Sequence, residues 1–184
     1  MSSKLIFNLI LAGLILLAFH ITPVLAQDEF ATTPVKFTQK NLGGPRMGIT
    51  YVPGNTELAN KLGKHGIGPT ISQFGWHFEW QVVPSIYGPS FVIELVPLLG
   101  GVEYSTVIPS ITLAMGVRLP NGFEFGMGPN VLFGGKDVVH SSLVVVVGKT
   151  FNYGGVNLPI NLAYITNPAG NRLAFIFGYA ISKS

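Results

Sequence analysis

The chain has 184 residues, no cysteine, only 10% Asp, Glu, Lys and Arg, and a formal net charge of +3. Average soluble proteins carry about 25% charged residues, and the mean hydropathy here is high, at +0.47. These numbers exclude a disulfide framework and a thiolate metal site, and so small and scattered a positive charge leaves no footprint for nucleic acid.

At the start, Lys4 precedes an apolar run from Leu5 to Phe19, then Pro23 and the small-residue pattern Val24-Leu25-Ala26. That arrangement predicts a cleavable secretory signal peptide over residues 1–26. A retained membrane anchor fits less well, because the run is short for a spanning helix and ends in proline. Residues 27–42 are polar and aperiodic and are expected to form a periplasmic N-terminal tail. From residue 43 to 184 strand and turn signals follow one another without a domain boundary. After Ala26 no apolar run approaches the roughly 18 residues that a transmembrane helix needs.

Eight strands are expected, over residues 45–53, 68–83, 89–99, 105–118, 122–133, 140–151, 156–166 and 171–182. Asn121-Gly122 is a strong hairpin signal. Asn152-Tyr153-Gly154-Gly155 and Asn167-Pro168-Ala169-Gly170-Asn171 read as further turns. Asn55 to His65 is the one helical candidate and is expected to stay in a connection, outside the core. Pro97, Pro109, Pro129 and Pro159 fall in or near strands, where each lacks a ladder donor. They are expected to mark bulges or strand ends.

The strands alternate with period two. In the second, Phe74, Trp76, Phe78, Trp80 and Val82 oppose Gln73, Gly75, His77, Glu79 and Gln81. In the fifth, Phe123, Phe125 and Met127 oppose Glu124, Gly126 and Gly128. In the eighth, Leu173, Phe175, Phe177, Tyr179 and Ile181 oppose Ala174, Gly178 and Ala180, with Ile176 as the exception. Alternation alone does not say which face is inside. The polar face here is small and almost free of lysine, unlike a soluble surface, which is roughly 25–35% charged. A narrow barrel fills its lumen with side chains, so small residues belong inside. Large aromatic residues then face outward, and Arg46, His77, Glu79, Glu94, Arg118 and Glu124 share the interior as a polar network. That network reads either as structural pairing or as a proton or ion path.

An even strand number puts both ends of the barrel domain on one side. Together with the signal peptide, the dyad strands, the aromatic outer face and the Gly-rich polar lumen, this resembles the small outer-membrane β-barrel proteins of Gram-negative bacteria. The resemblance implies an all-β fold: an antiparallel up-and-down transmembrane barrel of about eight strands. It implies outer-membrane lipid and the barrel assembly machinery as partners and a structural or interaction role. The stretch from Phe175 to Ile181 looks like the terminal assembly signal of that class, followed by three extra residues.

Two other readings stay open. One is a secreted soluble barrel, similar to lipocalins, that binds an apolar ligand. The other rests on His140-Ser141-Ser142, which resembles the His-x-Ser of outer-membrane lipid A deacylases, with His140 as base and Ser142 as nucleophile. No acidic residue follows Asp137, so an orienting carboxylate would come from an earlier strand. His77 and Glu79 share a face, but a metal would need a third ligand. No cofactor or metal site is expected.

Overall fold

The computed structural model describes residues 41–82, 88–133 and 139–181. The signal peptide expected over 1–26 and the tail over 27–40 lie outside these residues, as do the connecting segments 83–87 and 134–138 and the last three residues. The elements are β1 (Gly44–Tyr51), helix α1 (Glu57–Lys64), β2 (Thr70–Val82), β3 (Ser90–Gly100), a 3-10 turn (Val102–Tyr104), β4 (Ile108–Arg118), β5 (Phe123–Phe133), β6 (Val139–Tyr153), β7 (Val156–Thr166), β8 (Arg172–Gly178) and β9 (Ala180–Ile181).

Each strand pairs antiparallel with its chain neighbours, and β1 pairs with β8, so eight strands close into a barrel. β9 prolongs β8 along β7 beyond a break at Tyr179. The expected single strand over 171–182 is thus divided. The fourth strand starts at Ile108, not at residue 105. The 3-10 turn ends on Ser105 in the left-handed region, at φ 55°, and Thr106 N still donates back to Gly101 O at 3.2 Å, which delays the strand.

Two tight turns join strands at one end of the barrel. In the first, Gly122 has φ 85° and Leu119 N donates to Phe123 O at 2.7 Å. In the second, Gly154 and Gly155 both have positive φ, at 58° and 85°. Two consecutive left-handed residues are what a type I′ hairpin requires, because its twist matches that of the flanking strands.

The strand prolines do not create bulges. Pro97 interrupts the β2–β3 ladder, where Gly75↔Leu98 and Phe78↔Leu95 keep one register across the gap. Pro129 leaves the same kind of gap between β4 and β5, and Pro159 between β7 and β9. On its other side each proline stays paired, with Ile111, Leu143 and Thr150 respectively. A proline lacks one donor, so it weakens the ladder on one flank without shifting the register.

Helix α1 does not stay outside the core. Leu58 is buried with Val52, Ile67, Ile71, Ile108 and Leu132 in an apolar cluster, with Leu62 packed against it. The helix therefore covers one mouth of the barrel. Its N-terminus is capped by Thr56, whose Oγ1 accepts from Ala59 N at 3.1 Å. Leu58 N donates to Ala169 O in the β7–β8 connection at 2.7 Å. Glu57 and Lys61 pair on the outer side at 2.8 Å. The mouth opposite holds Leu42, the last residue of the expected tail, which is buried rather than free.

Candidate functional site in the barrel lumen

The inward positions carry the charges, and the outward positions are apolar. Arg46, His77, Glu79, Arg118 and Glu124 are all buried, whereas Phe74, Trp76, Phe125 and Leu162 are each about half exposed. The six residues of the expected interior network do come together, near the end that carries the tight turns.

Register explains the assembly. Glu79 lies directly opposite Glu94 on β3, and Arg118 lies opposite Glu124 on β5. Like charges facing each other across a ladder repel. Arg118 offsets that repulsion: its Nη1 and Nη2 donate to the two Glu79 oxygens at 2.7 and 2.6 Å. Its Nε donates to Glu124 Oε2 at 2.9 Å, and Nη2 lies 3.6 Å from Glu94 Oε1. Asn161 Nδ2 donates to the other Glu124 oxygen at 2.6 Å.

Arg46 forms the second half of the network. Its Nη2 donates to Leu42 O and to His77 Nδ1, the latter at 2.8 Å. A guanidinium only donates, so Nδ1 is the acceptor in that contact, and the same nitrogen lies 3.1 Å from Leu42 O; the other ring nitrogen is Nε2. That nitrogen faces Glu94 Oε2 at 3.7 Å.

Small residues make room for these side chains. Arg46 is flanked across the ladders by Gly75 and Gly178, Glu124 by Gly148, and Arg118 by Ser90. A Cβ at Gly148 would stand 2.6 Å from Glu124 Oε1, and one at Gly178 would stand 2.7 Å from Arg46 Cδ. Gly148 and Gly178 thus leave room for charged side chains, whereas at Gly48, Gly75, Gly116 and Gly128 a Cβ would meet the backbone of the neighbouring strand.

His77, Glu79 and Glu94 offer three ligand atoms within 4.8 Å of one another, the grouping a divalent cation could use. In this arrangement both Glu79 oxygens accept from Arg118, so a guanidinium stands where a metal charge would act. Beside the network lies a cavity of about 60 Å³, lined by Arg46, His77, Glu94, Glu124, Asn161 and several apolar side chains. A water needs roughly 10–15 Å³ of such space, so the cavity suits a few waters.

A second polar group, not singled out from the sequence, lies toward α1. Arg172 Nη2 donates to Asn130 Oδ1 at 2.8 Å and to Ser142 Oγ at 3.1 Å. Asn167 Nδ2 also donates to Ser142 Oγ, at 3.2 Å. The signal for Arg172 was its parity with Ala174 on the small face of the eighth strand. The structure puts Ser142 in Arg172's company, and no hydrogen bond joins Ser142 to His140 among the described residues. The chain matches no protein-family model, no curated protein and no solved structure.

Proposed function

We propose that this chain is an integral outer-membrane β-barrel of a Gram-negative envelope. In this reading it is exported on a signal peptide, inserted by barrel assembly machinery, and kept closed by its own side chains. Its role is structural or one of interaction, not catalysis. The observation that carries the reading is the inversion of polarity. Apolar and aromatic side chains ring the outside on every strand, from Met47 and Phe74 through Met115, Phe125, Val145 and Leu162 to Phe175, while the charges are buried within. Soluble monomers rarely leave contiguous apolar patches of more than a few hundred Å², whereas lipid is the natural solvent for such a face.

Other features support it. Strands β3, β4, β5 and β7 are each 11 residues long, and a tilted strand crosses a bilayer in about 9–11 residues. Tyr51 and Tyr153 end β1 and β6, as expected of interfacial aromatics. Lys149, on the outer side, reaches back so that Nζ donates to Asn121 O and lies 4.2 Å from the centre of the Phe123 ring. That is how a lysine at a membrane edge keeps its charge in water. The cavity beside the network, of about 60 Å³, is also far below the roughly 300–1,000 Å³ of a small-molecule pocket. This weighs for a filled lumen over an apolar ligand.

Expression in a Gram-negative host, followed by membrane fractionation and heat-modifiable gel mobility, tests the proposal. The chain is expected in the outer-membrane fraction, migrating faster unheated than heated. Phe125→Arg and Leu162→Arg each expose a charge to lipid at a cost of about 2–4 kcal/mol and are expected to reduce insertion, whereas Gly126→Ser is expected to be mild. Normal folding of both Arg variants in a soluble fraction would refute a lipid-facing surface.

A further inference from the structure

We propose that the barrel holds one small monovalent anion, of halide size, against Arg172 beneath helix α1. Arg172 opens β8 on its inward side and is only 5% exposed. Its two hydrogen-bond acceptors, Asn130 Oδ1 and Ser142 Oγ, are neutral. Arg46 and Arg118 share their end of the lumen with three glutamates. Arg172 has no carboxylate within ion-pair distance among the described residues. An enclosed guanidinium without a counter-charge is costly, because burial removes the water that solvates it. Its Nε is moreover fully enclosed and has no acceptor among the described residues.

The space next to it fits the missing partner. Arg172 lines a separate cavity of about 20 Å³ with Thr50, Gln73, Val52, Leu58 and others. That is room for about one water-sized particle, which admits a halide and excludes phosphate or a carboxylate. Thr50 Oγ1 donates to Gln73 Oε1 at 2.7 Å. Gln73 lines the same cavity and carries, besides that oxygen, an amide N–H donor group. The remaining walls are apolar, so the cavity offers donors and positive charge but no carboxylate. A water in the cavity would leave the charge unbalanced. The site lies inside the barrel and does not depend on what the outer face meets.

The test uses the intact folded chain, with chloride, bromide and gluconate compared at constant ionic strength. Thermal stability is expected to rise with chloride or bromide in a saturating manner and not with gluconate. Crystals prepared in bromide are expected to give an anomalous peak in the cavity beside the Arg172 guanidinium. Arg172→Met is expected to abolish the halide dependence. Should that variant not fold, Gln73→Leu is expected to move the midpoint to several-fold higher halide concentration. Equal stability in halide and gluconate, a halide dependence that persists in Arg172→Met, or the absence of a bromide peak at Arg172 would each overturn the proposal. So would a peak without any solution dependence, which would mean binding at crystal concentration only.

Discussion

Arg118 carries the interior charge balance, because among the described residues it is the cation within ion-pair distance of all three glutamates of the network. Removing one partner from a buried, hydrogen-bonded ion pair costs about 3–5 kcal/mol, since the other charge is left uncompensated. Arg118→Ala is expected to lower unfolding stability by about that much. Combining it with Glu79→Gln is expected to cost clearly less than the sum of the single changes. Denaturant titrations of the four variants give the coupling, and strict additivity would contradict the paired geometry. The members of this group were legible in the sequence, because strand parity alone sends Arg46, His77, Glu79, Glu94, Arg118 and Glu124 to one face. Their partnerships were not legible. That Glu79 meets Glu94, or that Arg46 bonds His77 between two glycines, depends on inter-strand register, which a single strand's pattern does not encode. Arg172 had the right parity, but nothing in its own strand marked it as lacking a counter-charge.

At the scale of elements, α1 shows what a local pattern reveals and what it leaves out. Its extent, expected within Asn55 to His65 from Glu57, Leu58, Leu62 and Gly63, was readable, and the helix runs from Glu57 to Lys64. Its docking was not, since the surfaces it covers come from β1, β2, β4 and β5, distant in sequence. Truncating buried leucines costs about 2–5 kcal/mol, so Leu58→Ala is expected to destabilise the barrel within that range, measurable by the same titrations. Replacing residues 55–66 with a short Gly-Ser turn is expected to leave planar bilayers without steady current. The Arg118 network and Leu42 still fill the opposite mouth, and porin-sized currents would show that the lumen is not closed there. The 3-10 connection is held in a different way. Glu103 accepts hydrogen bonds from Ser72 N and Oγ. Partial desolvation pushes its pKa up, but those hydrogen bonds outweigh it and hold the carboxyl below the usual carboxylate range. A depressed folded-state pKa stabilises above the unfolded value, about 4.3 for Glu. The clip is therefore expected to hold at neutral pH and to loosen only in acid, as faster Ser72 amide exchange corrected for the intrinsic pH dependence. Glu103→Gln should remove that response.

For the whole molecule, the central claim is that polarity is inverted, with charges inside and apolar residues against lipid. The closed antiparallel eight-strand architecture was readable from dyad alternation and turn chemistry, whereas the two plugs that close its mouths and the one-sided ladder gaps at proline were not. The most direct measurement uses the two tryptophans of the chain, Trp76 and Trp80. Both lie on the outer side of β2, Trp76 at its middle and Trp80 nearer the end with the tight turns. The folded chain is reconstituted in vesicles with bromine at defined depths along the acyl chains, and single Trp→Phe variants separate the two signals. Both tryptophans are expected to emit at short wavelength and to be quenched by brominated lipid, Trp76 most strongly by bromine deep in the bilayer and Trp80 by bromine nearer the headgroups. Acrylamide should quench neither well. Water-like emission, efficient acrylamide quenching and indifference to brominated lipid would contradict the account.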